Sequence, residues 1–141
     1  MIRAAAAEIQ DSEDLLQIDE TVFGNMNRKS TIEKAILEGR CLVARSDSFL
    51  VGFLIYNTDF FDCSFISLII VPPSERRKGI ASSLIQYFER ISPTKKIFSS
   101  TNESNDRMVK VFSSLGYVKS GYLENLDEED REIFYFKKQN E

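Results

Sequence analysis

"VPPSERRKGIASSL", residues 71–84, closes one apolar run and opens another. The run before it, Leu68, Ile69, Ile70 and Val71, is continuous enough for a strand covered on both faces, hence central in a sheet. Pro72 and Pro73 end that strand, because neither can donate to a ladder. From Gly79 onward Ile80, Leu84, Ile85, Phe88 and Ile91 recur at helical spacing, and the helix stops before Pro93. At the handover stand three cations, Arg76, Arg77 and Lys78, in a chain whose net charge is −4. Short charge runs are commonly solvated faces. This one precedes a helix, whose first turn leaves backbone N–H groups without intrahelical partners. The macrodipole adds about half a positive charge there, so the junction suits a phosphate or diphosphate. Gly79 and the small Ala81 let such a ligand reach the backbone; Gly79 equally serves to turn the chain, and Ala81 to bring the helix close to the sheet.

Working outward, the N-terminal "IRAAAAEI" is read as a first strand. Asp11 or Ser12 caps a helix carrying Leu15, Leu16, Ile18, Val22 and Phe23 and ending at Gly24. A second helix starts at Ser30 or Thr31, carries Ile32, Ala35, Ile36 and Leu37, and closes at Gly39. Three strand-like runs follow, "CLVAR", "FLVGFLIYN" and "SFISLIIV", with Ser46-Asp47-Ser48 and the polar "TDFFD" as turns, which predicts an antiparallel meander. After the helix from Gly79 come a strand "KKIFSST", a helix from Asn105 to Leu115 closed by Gly116, and a hairpin of "YVKSGYL" and "EIFYFK" around the acidic turn at residues 127–130. The order β-α-α-β-β-β-α-β-α-β-β is that of an α+β protein with a mixed, mostly antiparallel sheet of about seven strands and four helices. The strand–helix–strand unit in its middle supplies parallel pairing by a right-handed crossover.

At 141 residues the chain is expected to form one domain, residues 1–141, and 43% apolar with 28% charged residues is globular composition. The acidic balance argues against nucleic acid as a partner, since only residues 76–78 approach a basic footprint. Histidine is absent, which removes His-based triads, His-rich metal sites and the usual near-neutral base. Cys41 and Cys63 are too few for a metal cluster and are read as reduced core residues of a cytoplasmic protein. The N-terminus has no apolar leader and no run of 18 apolar residues occurs, so neither export nor a membrane span is expected.

Two familiar phosphate cradles fail on the opening stretch: there is no G-x-x-x-x-G-K-[ST] and no G-x-G-x-x-G after a strand. The stretch matches [QR]-x-x-G-x-[GA] instead, as Arg76-Arg77-Lys78-Gly79-Ile80-Ala81, and so resembles the acetyl-CoA loop of the GCN5-related N-acetyltransferase (GNAT) superfamily. Val71-Pro72-Pro73 matches the Val-x-Pro that ends the family's central strand, while Asn105 and Gly116-Tyr117 match the opening Asn and closing Gly-aromatic pair of its later helix. The resemblance is densest between Leu68 and Tyr117.

The resemblance implies direct transfer of an acetyl group from acetyl-CoA to a primary amine of a small molecule, peptide or protein. It implies a tetrahedral intermediate, no acyl-enzyme and no metal. Carried over by position, the backbone of Ile69, Ile70 and Val71 holds the pantetheine arm and offers an N–H to the developing oxyanion. Arg76, Arg77, Lys78, Gly79, Ile80, Ala81 and Ser82 bind the diphosphate, and Asn105 hydrogen-bonds the cofactor, although a plain helix cap also explains that residue. Phe112 departs from the pattern: it occupies the cofactor-side position where many members place a tyrosine as general acid, and it has no proton to give. That leaves water or a neighbour such as Ser113 to protonate the thiolate. The strand 63–71 carries no carboxylate; Asp59, Asp62, Glu124 and Glu132 could act as base through water, each equally explained as a surface carboxylate, and none is assigned, so the catalytic residues are unknown at this point. Two other readings remain open, an acyl-CoA sensor without turnover and a purely structural domain. The acceptor amine is not legible, and both a monomer and a homodimer through the terminal strand pair fit.

Overall fold

The handover at residue 71 is a handover in the structure too. In the computed structural model, which describes residues 1–139, the elements run β1 (Ile2–Ala6), α1 (Ser12–Phe23), α2 (Lys29–Leu37), β2 (Cys41–Ser46), β3 (Phe49–Phe60), β4 (Cys63–Ile70), α3 (Ile80–Ile91), β5 (Lys96–Asn102), α4 (Asp106–Ser114), β6 (Val118–Asp127) and β7 (Asp130–Lys138). Seven strands lie in the order β1-β2-β3-β4-β5-β7-β6, so the strand leading into α3 is the fourth of seven. β4 and β5 pair in parallel, as the α3 crossover requires, while the β1–β2, β2–β3, β5–β7 and β6–β7 pairs are antiparallel. No helix among the described residues is long and apolar enough to cross a membrane.

Several boundaries moved for identifiable reasons. "TDFFD" is not a polar loop: β3 continues through Phe60, whose ring stacks on Phe65 at 4.5 Å, and the reversal is made by Phe61 and Asp62 alone, both at positive φ. That is the two-residue turn whose twist matches its flanking strands. Asp11 precedes α1 but its side chain does not cap it; it accepts from the Glu8 amide at 2.8 Å and pairs with Arg45. The helix stops of α1 and α2 follow the sequence, with Gly24 at φ 91° and Gly39 at φ 74°. Cys41 is buried, whereas Cys63 is only half-buried, and both are free thiols.

The contacts divide the chain into two compact units. The first is Met1–Tyr56 with Leu68–Ile91. Its core gathers Leu15, Ile32, Ala35, Val43, Phe53 and Ile55, and α3 buries Ile80, Leu84, Ile85 and Phe88. Asp19, 1% exposed, is paired with Arg28 at 2.6 Å, and that guanidinium lies over the Phe23 ring. The second unit is Asn57–Ser67 with the chain from Ser92 onward. Here β5 and β7 pair from Lys96↔Lys138 to Asn102↔Glu132, and strand alternation sorts their side chains. Ile97, Ser99, Ile133 and Tyr135 are buried, as are Met108 and Phe112 of α4. Phe98, Phe134 and Phe136 alternate with the buried set, are half-exposed, and Phe98 and Phe134 are joined by Phe60.

Candidate functional site

The loop before α3 is built by its own backbone. After β4, residues Pro73–Glu75 make a single 3₁₀ turn, Arg76 is extended at φ −76° and ψ 161°, and Arg77 and Gly79 both take positive φ, 65° and 78°. Left-handed backbone costs a non-glycine residue about 1–2 kcal/mol, so Arg77 is held there by its surroundings. One visible restraint is its neighbour, since Arg76 Nε donates to the Val71 carbonyl at 3.0 Å and ties the loop to the end of the strand. The first helical bond of α3 is Ser83 N–H to Gly79 O, 2.9 Å. Among the described residues, no backbone carbonyl accepts from the amides of residues 77–82.

The three cations do not contribute alike. Arg76 is half-buried and engaged as above; Lys78 Nζ pairs with Glu75 Oε1 at 3.2 Å, an exposed bond worth at most about 1 kcal/mol. Arg77 and Gly79 are exposed, while Ile80 and Ala81 are buried and Ser82 half-buried. A Cβ added to Gly79 would meet nothing within 4 Å, so within the chain this glycine is required by its φ rather than by crowding.

β4 is central, yet not covered on both faces as its apolar run suggested: Ser67 is exposed and Leu68 and Ile69 are half-buried, while Ile70 and Val71 are buried. Val71 falls one residue beyond the strand. The parallel ladder with β5 covers only Ser64↔Ile97, Phe65↔Phe98 and Ile66↔Ser99. At its last rung the buried Ser99 hydroxyl donates to the Ile66 carbonyl at 2.8 Å, so a side chain satisfies the acceptor where the backbone ladder ends. Gly52 on β3, which sequence reasoning passed over, has no room for a side chain: its Cβ would lie 3.0 Å from Ile70 O, 3.0 Å from Ile80 Cγ2 and 3.3 Å from Val71 Cγ2. An isolated glycine inside a strand was the available signal of such a close approach.

In the second unit Asn105 caps α4, its Oδ1 accepting from Met108 N–H at 3.2 Å. The cap employs the oxygen and not the side-chain amide. Phe112 is 1% exposed, stacked on Tyr135 with ring centroids 5.0 Å apart and planes 19° from parallel, and meets Tyr117 edge-on at 5.4 Å. Tyr135 is itself 1% exposed, and its hydroxyl is the one buried side-chain polar atom among the described residues without a hydrogen-bond partner. Burial pushes that phenol above its ordinary pKa. Ser113 sits exposed on α4. Of the four candidate carboxylates, Asp59, Asp62 and Glu124 are exposed; Glu132 is half-buried and accepts from Ser100 Oγ at 2.7 Å. Glu124 lines an open acidic hollow at the terminal hairpin, and a second hollow of about 520 Å³ is walled by Phe60, Phe61, Phe98, Tyr122 and Phe134. Neither includes a residue expected to hold the cofactor.

Comparison with known proteins bears on the same residues. Among curated protein sequences none matches the chain significantly. A solved structure described as an acetyltransferase of the GNAT family from Bacillus cereus ATCC 10987 is 50% identical, covers 100% of this chain and 99% of its own, and superposes with a TM-score of 0.97. Ard1 from Thermoplasma volcanium, 18% identical over 99% of both chains, reaches 0.85. Arabidopsis thaliana Naa50, solved with the bisubstrate analogue CoA-Ac-MVNAL, is 15% identical over 96% of this chain and 97% of its own and reaches 0.79. These two share the fold. The family model "Acetyltransferase (GNAT) family" matches residues 10–117, a span that holds the strand end, the loop before α3, Asn105 and the Gly116-Tyr117 pair, and the chain therefore belongs to that family.

Proposed function

We propose that residues 1–141 act as one N-acetyltransferase domain that moves an acetyl group from acetyl-CoA directly to a primary amine of a small molecule, peptide or protein, with no acyl-enzyme. The observation that carries this reading is the run of amides at residues 77–82, turned by left-handed Arg77 and Gly79 and taken up by no backbone carbonyl among the described residues. Such a run at a helix N-terminus is a cradle for anionic oxygens. The family and the analogue bound to Naa50 support coenzyme A as the owner of that diphosphate.

Acetyl-CoA supplies a thioester whose carbonyl the amine attacks. The amides of residues 77–82 hold the diphosphate, with the exposed Arg77 as the cation least committed elsewhere. Ile69, Ile70 and Val71 receive the pantetheine arm through their backbone N–H and C=O groups, beside the half-buried side chains of Leu68 and Ile69. The Val71 amide is given the developing oxyanion. Asn105 offers the side-chain amide that its cap leaves unused. The reading takes the protein to work in the cytoplasm, as monomer or homodimer.

Calorimetry with coenzyme A and thiol release in a panel of amines test the reading together. Binding that Gly79→Val abolishes, with thiol released only when an amine is present, is expected. A wild-type protein that gives no heat with coenzyme A sinks the proposal. Because Phe112 is no acid, a sensor is the second reading, and saturable binding with no thiol from any amine decides for it.

A further inference from the structure

We infer that a second copy of this chain docks on one face of the β5–β7 ladder, strands antiparallel, so that the basic end of each copy meets the acidic end of the other. The surface lies wholly within the second unit. Strand alternation gives the ladder's two faces opposite fates. One meets α4, where Phe112 stacks on Tyr135, and its Ile97, Ser99, Ile133 and Tyr135 are buried. The register writes the other face as rows across the sheet. At one end Lys96 stands opposite Lys138; in the middle Phe98 stands opposite Phe136; at the far end Asn102 stands opposite Glu132. Asp127 joins that last row by accepting from Asn102 Nδ2 at 2.9 Å. The face is therefore basic, then aromatic, then acidic along the strands.

Neither end is neutralised within the chain. Among the described residues no salt bridge reaches Lys96, Lys138, Asp127 or Glu132, and like charges set directly opposite on a ladder are destabilising. The middle is equally unfinished. Phe61 is 85% exposed and Tyr122 57%, and with Phe60, Phe98 and Phe134 they wall the hollow of about 520 Å³. Those two rings alone leave roughly 200–350 Å² of aromatic surface in water. A standard interface takes about 800 Å² from each partner, so the aromatic middle has to be joined by the charged ends. A two-fold axis lying between two such faces, across the strands, does this. It stacks one aromatic middle on the other and lays Lys96 and Lys138 of each copy over Asp127 and Glu132 of its mate. The face is its own complement, which favours a second copy over a foreign partner.

Light scattering coupled to gel filtration, over a concentration series and without coenzyme A, reads the mass. The wild type is expected to run as two chains when concentrated and to separate more readily as salt rises. Lys96→Glu with Lys138→Glu gathers four carboxylates at each end of the pair, every substitution acting twice, and is expected to raise Kd at least about 100-fold. Asp127→Lys with Glu132→Lys is expected to do the same with the opposite sign, and an equimolar mixture of the two variants to pair again. Phe61→Asp puts a charge on the wall of the hollow at φ 52°, a backbone that aspartate accepts, and is expected to give single chains. Circular dichroism of each variant, at a dilution where the wild type is one chain, separates lost pairing from lost fold. A wild type that stays a single chain up to millimolar concentration overturns the inference. So does a pair that survives both Lys96→Glu with Lys138→Glu and Phe61→Asp, since its contact then lies elsewhere, as along the exposed β6 edge. Two folded charge variants that fail to pair when mixed overturn the antiparallel arrangement. None of these outcomes bears on acetyl transfer, which thiol release decides.

Discussion

Gly52→Ala tests how the end of β4 is held. The added methyl would lie 3.0 Å from the Ile70 carbonyl oxygen and from Ile80 Cγ2, and 3.3 Å from Val71 Cγ2. Ordinary contacts begin near 3.4 Å, so two sides must each give by about 0.4 Å. Neither yields easily, because one is backbone and the other a branched side chain that is 2% exposed. Overpacking of this kind costs about 1–3 kcal/mol, offset by about 0.4–1 kcal/mol from the stiffer unfolded chain. The net loss of about 1–2 kcal/mol lowers Tm by roughly 3–8 °C for a chain of this size. Because the strain falls on Ile70, Val71 and Ile80, coenzyme A affinity is expected to fall with it. Gly121→Ala is the control, since its Cβ would meet nothing within 4 Å and its φ is not left-handed; it should leave Tm unchanged or slightly higher. Thermal unfolding of both variants, followed by coenzyme A titration, is sufficient. If Gly52→Ala melts at or above the wild-type temperature, the claim that this glycine sets the approach of β4 and α3 is wrong.

Gly79→Ala meets no neighbour but must hold φ 78°, so it should lose about 1 kcal/mol in denaturant titration while coenzyme A binding weakens by more than that loss explains. Burial pushes the Cys41 thiol from 9.0 up to about 12, with Asp11 adding to the rise and Arg40 opposing it. The folded state therefore keeps that proton longer than the unfolded chain does: the stabilisation is complete below pH 9 and is lost as pH rises towards 12, about 4 kcal/mol in all. Urea midpoints taken from pH 8 to 11 should fall in the wild type and fall less steeply in Cys41→Ala; equal slopes refute the assignment. Arg28→Ala strands Asp19, which is 1% exposed, and strips the cation from the Phe23 ring, so a loss of about 2–3 kcal/mol is expected in chemical unfolding. Asp19→Asn in the same background should return part of it.

Local chemistry determined most of the architecture. Periodicity, Gly24, Gly39 and Gly116 as helix stops, and the proline pair after Val71 are written in short stretches, and each acts through φ restriction or burial of one face that needs no distant residue. The same holds for the loop before α3, where glycine and the orphan amides of a helix start are consequences of local geometry. What the chain could not disclose is whatever depends on a partner far along it. The extent of β3 was decided by Phe60 finding Phe65 and Phe134, which made a strand of residues that read as polar turn. The incomplete burial of Ser67, Leu68 and Ile69 on β4 was likewise invisible in its apolar run, because side-chain cover is set by what packs against a strand. Arg76 reads as a charge for a ligand, yet its Nε is spent on the Val71 carbonyl. Tyr135, indistinguishable in sequence from any other strand aromatic, became notable once folding set it against Phe112 with its hydroxyl unpaired. Backbone preference is a property of neighbours in the chain, whereas burial and hydrogen-bond satisfaction are properties of neighbours in space, and the chemistry proposed for this protein rests on both.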